Sequence, residues 1–271
     1  MQSIARQLSA TPLPAMEARI LLMHVLGKTR IQLITQSDTL LTDVELRTYQ
    51  TLVQRRIDGE PIAYLTGQRE FYGLNLTVTP DVLIPRADTE LLVDLALQYT
   101  PQHSTLLDLG TGSGAIAVAI AQQRSDLQLW ACDISAAALK VAQSNADRYA
   151  SPCAIQFVLS DWYAGLPERQ WHTIVSNPPY IRQNDSHLSQ GDLRFEPQNA
   201  LTDHADGLSA YRTLISGAPQ RLMAGGWLLL EHGYDQAQAV RALLAAQPFT
   251  QIQSWRDLAG IERVSGAQLA V

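Results

Sequence analysis

The sequence predicts an α/β fold, a parallel sheet covered by helices on both faces and preceded by a small helical domain. Three features predict it. Apolar residues recur at the helical period through residue 66 or so, and short apolar runs alternate with helical stretches from about 81 onward. A glycine-rich turn, Gly110-Thr111-Gly112-Ser113-Gly114, follows directly on the first of those runs. The expected division is 1–69 for the helical domain, 70–80 for a hairpin linker and 81–271 for the α/β domain.

In the first region Met16, Ile20, Met23 and Leu26 share a helical face, and Gly27 ends that segment. A second amphipathic run from about Thr42 to Ile57 carries Val44, Leu46, Leu52 and Val53, and stops at Asp58-Gly59. The stretch 70–79 alternates apolar residues around Gly73 and Asn75, the pattern of a hairpin. Strands are then expected at 105–109, 127–132, 154–159, 171–176, 226–231, 249–254 and 262–269. Helices are expected at 88–99, 113–124, 135–149, 207–222 and 235–246. The last two strands have no helix between them, so they should close the sheet as an antiparallel hairpin. The polar stretch 181–206 lacks periodicity, and a loop that long in a compact domain is usually functional.

Composition narrows the function classes. The chain has 271 residues, 46% hydrophobic and 17% charged, with a net charge of −6. That acidic balance argues against a general nucleic-acid-coating surface. No apolar run reaches the roughly 18 residues of a membrane span, and the N-terminus lacks the basic start and apolar core of a secretory signal. Cys132 and Cys153 lie beside expected strands and should pack as small apolar groups. They do not form a Cys-x-x-Cys pair, and no histidine has a metal-ligand spacing, so neither disulfide nor metal is expected. A soluble cytoplasmic protein is the expectation.

Chemistry concentrates at strand ends. Strand 105–109 ends with Asp108-Leu109 and runs into the glycine turn, which lets a ligand approach the backbone and offers the free N–H groups of a helix start. Gly110-x-Gly112-x-x-Ala115 also fits a dinucleotide fingerprint, so the turn alone does not name the ligand. Asp133, about 20 residues on, is placed to accept from both hydroxyls of a ribose, in NAD or in S-adenosylmethionine alike. Ser135 is the better cap for the next helix, which would leave Asp133 free. Asp161 could accept from an exocyclic adenine amine while Trp162 flanks the ring. Strand 171–176 runs into Asn177-Pro178-Pro179-Tyr180. The two prolines fix φ and remove two N–H donors, leaving a stiff corner of acceptors: the Asn177 amide oxygen and the proline carbonyls. With the flat ring of Tyr180, such a corner suits a planar NH2 group.

Together, Asp108–Gly114, Asp133, Asp161-Trp162 and Asn177–Tyr180 resemble the class I S-adenosylmethionine-dependent methyltransferases that act on planar NH2 nitrogens. Further segments narrow the resemblance: Glu70-Phe71-Tyr72-Gly73, Leu83-Ile84-Pro85-Arg86-Ala87-Asp88-Thr89-Glu90, Glu231-His232-Gly233, Asp257-Leu258-Ala259-Gly260 and Arg263-Val264. These are similar to the peptide chain release factor glutamine methyltransferases, the PrmC or HemK family, over essentially the whole chain. One departure is Ala87, where the family usually has proline.

The resemblance implies a doubly wound seven-stranded sheet and methyl transfer from S-adenosyl-L-methionine to the glutamine amide of the Gly-Gly-Gln motif of class I release factors. It implies a protein partner rather than nucleic acid. Catalytic roles would fall to Asn177, Pro178 and Tyr180, and cofactor contacts to Gly110, Thr111, Gly112, Ser113, Gly114, Asp133, Asp161, Trp162 and Asn177. Substrate contacts would come from Asn177, Pro178, Pro179, Tyr180, Leu83 and Arg86, with the loop 83–90 covering the site and the N-terminal helices gripping the release factor. Plainer roles exist for that loop: Asp88-Thr89-Glu90 as an acidic helix start, and Arg86 as its ion-pair partner. Glu231 reads as structural rather than catalytic. Rival readings are a ribosomal-protein glutamine methyltransferase, an adenine or guanine amino-methyltransferase, a noncatalytic adaptor and an NAD-dependent oxidoreductase. The last lacks a proton donor for a nicotinamide.

Overall fold

The computed structural model describes residues 2–150 and 155–271, so Cys153 and the first residue of the strand expected at 154–159 lie outside the described residues. The chain forms two compact units: residues up to Gln68 together with Gln190–Phe195, and Arg69–Ser189 together with Glu196–Val271.

The first unit is helical. Its helices are α1 (Ile4–Ala10), α2 (Ala15–Leu26), α3 (Arg30–Thr35), α4 (Asp43–Ile57) and α5 (Ile62–Thr66). Gly27 caps α2 in the left-handed conformation at φ 60°, where a side chain would be strained. A reciprocal capping box opens α4: Glu45 N–H donates to the Thr42 hydroxyl, and the Glu45 carboxylate accepts from Thr42 N–H at 2.8 Å. The periodicity had revealed α2 and α4; α1, α3 and α5 are too short to display a period. Ile4, Leu21, Leu22, Leu33, Tyr49 and Leu52 form the core. Arg56 pairs with Glu17 at 2.8 Å and with Asp192 at 3.1 Å, which ties the distant segment Gln190–Phe195 into this unit.

In the second unit, the strands β1 (Gln68–Phe71) and β2 (Leu74–Thr77) meet at Tyr72-Gly73, both at positive φ (51° and 75°). That is the backbone twist a two-residue hairpin turn requires. There follow α6 (Glu90–Tyr99), β3 (Thr105–Leu109), α7 (Ala115–Gln123), β4 (Gln128–Asp133), α8 (Ala136–Tyr149), β5 (Ile155–Leu159) and β6 (Trp171–Ser176). The chain ends with α9 (Gln198–Leu201), α10 (Ser209–Arg221), β7 (Leu222–Glu231), α11 (Ala237–Ala245), β8 (Phe249–Arg256) and β9 (Glu262–Leu269). Among the described residues the sheet has seven strands in the order β5-β4-β3-β6-β7-β9-β8. The first five are parallel, and β9 lies antiparallel between β7 and β8, so the expected terminal hairpin forms with its second strand innermost.

Both faces of the sheet are covered, which explains why its central strands read as continuous apolar runs. Successive residues feed opposite cores: Leu106, Val175 and Leu229 one, Leu107, Ile174, Leu228 and Leu230 the other. Cys132 is buried and forms no disulfide among the described residues, and burial pushes its thiol up to about 12. Several boundaries differ from expectation. β7 begins at Leu222, not 226, because Leu222 pairs with Trp171 and Trp227 with Thr173, leaving a bulge between them. Gly225 sits in that bulge at φ 75°. The helix expected from 88 opens as a tight 3₁₀ turn at Ala87–Thr89, and the one expected from 113 begins only after Gly114. Within 181–206 lie two 3₁₀ turns, Ser186–Ser189 and Gly191–Phe195, and the short α9.

Fully buried Asn145 on α8 joins layers that the periodicity leaves unconnected. Its amide accepts from Thr77 N–H at 2.7 Å and donates to the carbonyls of Thr77 at 3.0 Å and Ser113 at 2.9 Å. Replacing it with alanine leaves three backbone groups, one of them buried and two partly buried, without these partners. Asn145→Ala should therefore lower unfolding free energy by about 3 kcal/mol in urea denaturation, whereas a change below about 0.5 kcal/mol would contradict this role.

Candidate functional site

β3 pairs in parallel with β4 on one side and β6 on the other, so the carboxyl ends of three strands open at one edge. Ligands of open α/β sheets bind at such a switch point. A cavity of about 530 Å³ lies there, within the usual range of small-molecule sites. It is lined by Gly110, Thr111, Gly112 and Ser113 after β3, Asp133 and Ser135 after β4, Asp161 and Trp162 after β5, and Asn177 and Pro179 after β6. Leu83, Pro85, Arg86 and Thr89 line it from the loop before α6, and Asn199, Thr202 and Asp203 from around α9. Of the site residues expected from sequence, Gly114, Pro178 and Tyr180 are not in this lining.

The glycine turn is held by its own backbone. The N–H groups of Gly110 and Thr111 both donate to the Cys132 carbonyl at 2.9 Å. The Thr111 hydroxyl donates to Asp108 at 2.6 Å. Asp108 is wholly buried, and burial raises its carboxyl to about 7 against the pull of Thr111, with Asp133 adding to the rise. At Gly112 (φ 55°) an added Cβ would meet nothing within 4 Å, so the backbone itself faces the cavity. Gly114 has another reason to be glycine: an added Cβ would lie 3.1 Å from the Ala142 Cα of α8. It sets the helix packing and leaves the lining to its neighbours.

Ser135 caps α8 as expected, accepting from Ala138 N–H at 3.2 Å, but Asp133 is not free. One of its oxygens accepts from Gly112 N–H and the other from Ser135 N–H, each at 2.9 Å. Burial raises its pKa, and those N–H bonds work against the rise. Each carboxylate oxygen has about two acceptor sites, so about one on each remains open. Asp161 is exposed at the cavity rim. Trp162 lies in the left-handed region at φ 48°, and its carbonyl accepts from the Ser160 hydroxyl at 2.7 Å. Its ring lies over Gly110, where a Cβ would sit 3.4 Å from it.

The corner after β6 is anchored from both ends. Buried Ser176 donates to the Leu109 carbonyl at 2.6 Å, and the Tyr180 carbonyl accepts from Gln236 Nε2 at 3.0 Å. Pro178 is buried and Pro179 half-buried. The Asn177 amide nitrogen donates to the Thr89 hydroxyl at 3.2 Å. Tyr180 packs against the core that contains Tyr211 and Leu230, and burial, with Glu231 nearby, pushes its phenol well above the ordinary range.

Arg86 does not pair with the helix start that follows it. Asp88 pairs instead with Arg263 at 3.3 Å, and Glu90 accepts from Tyr72 N–H at 2.9 Å. Arg86 pairs with Glu196, whose buried carboxylate also accepts from Ile84 N–H at 3.0 Å. Glu196 thus fixes the Ile84-Pro85-Arg86 loop over the cavity. Sequence reading missed it because it stands 110 residues from Arg86 in a stretch without periodicity. Among the described residues no group of three or more His, Cys, Asp or Glu could hold a metal ion. Glu196→Ala should speed hydrogen exchange at the Ile84 amide by about tenfold or more, read by NMR. Unchanged protection would show that the loop is held by other contacts.

Comparisons with known proteins agree with this geometry. Residues 1–67 match the PrmC N-terminal domain family, and residues 87–193 the methyltransferase small domain family. The chain is 54% identical to the release factor glutamine methyltransferase of Burkholderia pseudomallei, over 98% of this chain and 95% of that protein. It is 51% identical to that of Neisseria gonorrhoeae, over 95% and 94%. A solved methyltransferase structure from Pyrococcus furiosus shares the fold at 15% identity, with TM-score 0.57 over 80% of this chain and 98% of that one. The chain belongs to the release factor glutamine methyltransferase family.

Proposed function

We propose that the protein methylates the side-chain amide nitrogen of the Gly-Gly-Gln glutamine of class I peptide chain release factors, with S-adenosyl-L-methionine as donor. The observation that carries this reading is that Asn177 and Pro179 of the corner line the same cavity as the glycine turn and Asp133. The high identity to named release factor glutamine methyltransferases supports the substrate.

The cavity's donors and acceptors suit the cofactor. Asp133 keeps acceptor sites for ribose hydroxyls, Gly112 gives close backbone approach, and Asp161 with Trp162 offers an acceptor and a flat face for an adenine. When bound, S-adenosylmethionine supplies an electrophilic methyl group.

The protein's part is to make a poor nucleophile serviceable. A primary amide nitrogen has its lone pair delocalised into the carbonyl. Asn177 Oδ1 and the Pro178 carbonyl accept its two N–H bonds, which orient the nitrogen and enrich it in electron density. Most of the benefit is positional, since holding two reacting groups in place is worth several powers of ten in rate. No strong base is needed before transfer, because the nitrogen becomes acidic only as its new carbon bond forms, and its proton then leaves to water. Pro178 contributes its backbone carbonyl, so its side chain need not line the cavity. Tyr180 supports the corner from the core side.

Residues 1–69 form the substrate-recognition domain, 70–80 the hairpin linker and 81–271 the methyltransferase domain in this reading. Exposed Met16, Ile31, Ile34 and Val44 give the helical unit apolar surface for a protein partner. Among the described residues no helix is long and apolar enough to cross a membrane. A protein that modifies release factors works where translation occurs, in the cytoplasm.

Purified protein with methyl-labelled cofactor should label a release factor and fail to label one whose Gly-Gly-Gln glutamine is replaced. Label retained in that variant, or entering RNA or DNA, contradicts the assignment. Asn177→Ala should reduce kcat by on the order of 100-fold or more while calorimetry shows cofactor affinity little changed. Near-normal turnover would remove Asn177 from its role. Asp133→Ala should instead weaken cofactor binding by about tenfold or more, as loss of charge-assisted hydrogen bonds worth about 1.5–3 kcal/mol requires. Unaltered affinity would show that the diol binds elsewhere.

A further inference from the structure

Glu231, the last residue of β7, is 2% exposed and lies behind the cavity rather than in its lining. Its Oε2 has no hydrogen-bond partner among the described residues. The Thr89 and Asn177 side chains lie close enough to the carboxylate to pull its pKa down. Thr89 is itself 5% exposed, and its oxygen receives the Asn177 amide N–H at 3.2 Å. Three side chains from the turn before α6, the corner after β6 and the end of β7 therefore form one short chain of polar groups.

The polarity of that chain has only one solution when the carboxylate is ionised. An ionised carboxylate accepts and never donates. The Thr89 hydroxyl must then donate to Glu231, and its lone pairs accept from Asn177 Nδ2. The Asn177 amide has no remaining choice of orientation: nitrogen toward Thr89 and Glu231, oxygen left for substrate. We infer that Glu231 and Thr89 are positioning residues that set the amide of Asn177 with its oxygen toward the substrate nitrogen, through a one-way hydrogen-bond relay. This rests on the reading of Asn177 as acceptor of the substrate amide.

Protonation would undo the relay. A neutral Glu231 can donate to Thr89, Thr89 can then donate to Asn177 Oδ1, and a flipped Asn177 would present N–H to another N–H. Burial raises the Glu231 carboxyl to about 7, opposed by the Thr89 and Asn177 side chains. Asp88 adds to the rise, and Arg263 on β9 opposes it. Arg263 is itself shared with Asp88 and Asp257. Tyr211 on α10 donates its hydroxyl to the Glu231 backbone carbonyl at 2.8 Å, and the Tyr180 phenol stays neutral nearby. His232, next in sequence, has both ring nitrogens engaged, by the Gly233 carbonyl at 2.9 Å and Ser265 at 2.8 Å. Burial lowers its pKa, so it brings no charge to the relay near neutrality. Protons thus act on the relay through Glu231, and kcat should fall as pH drops through about 7.

The test uses Thr89→Val, Thr89→Ser and Glu231→Gln with wild type. Thr89→Val keeps the shape but breaks the relay, and should lower kcat by on the order of tenfold or more with cofactor affinity unchanged in calorimetry. Thr89→Ser should recover most of that loss. Glu231→Gln should lower kcat and remove the acidic limb of its pH profile. A second readout needs no substrate. In protein labelled with 15N-asparagine, the Asn177 side-chain resonance, identified by its loss in Asn177→Ala, should titrate near pH 7 in wild type and not in Glu231→Gln. An Asn177 resonance indifferent to pH overturns the relay, as does turnover of Thr89→Val within about threefold of wild type. Wild type that transfers no methyl to a release factor refutes the proposed function, while the resonance still decides the relay.

Discussion

The parallel pairing of β3 with both β4 and β6 is the constraint on which the rest depends. It brings the glycine turn, Asp133 and Asn177 to one edge, although 67 residues separate the first of these from the last. Loops alone would hold such groups poorly. Here the strands beneath them are buried on both faces, and each fully buried leucine adds roughly 1.5–3 kcal/mol. The site inherits its rigidity from the sheet.

Above that frame, polar side chains buried at junctions do the fine positioning. Asn145 ties the glycine turn to β2, Glu196 ties the Ile84-Pro85-Arg86 loop to the stretch before α9, and Gln236 ties Tyr180 to Gly207. Each satisfies backbone groups that would otherwise be buried without partners, so each is costly to remove. Glu231 differs from these three, because among the described residues its Oε2 lacks a partner and its pKa is raised to about 7. Tension of that kind in a buried carboxyl beside a ligand cavity commonly marks a functional role.

Much of this was legible in the sequence, for definable reasons. Strands β3, β6 and β9 fell where apolar runs and flanking turn residues put them. The cavity-lining glycines, Asp133, Asp161, Trp162 and Asn177 are local signals, each at a strand end. Long-range partners escaped. Nothing near Arg86 points to Glu196, and the nearby Asp88 and Glu90 were the more obvious partners. Asp133 was expected to be unencumbered, but the close approach of Gly112 and Ser135 fills half of its acceptor capacity. Residues 223–225 fell between the expected helix 207–222 and strand 226–231 because a bulge glycine such as Gly225 reads in sequence like a turn glycine.

The central claim is that the corner at Asn177 delivers a methyl group to a protein glutamine. The most direct measurement offers the enzyme release factor, ribosomal proteins, tRNA and DNA together with labelled cofactor, and locates the label by tandem mass spectrometry. The account predicts one added methyl on the side-chain nitrogen of the Gly-Gly-Gln glutamine and none in nucleic acid. Label on a nucleobase amine, or on a ribosomal-protein glutamine in preference to the release factor, would contradict it.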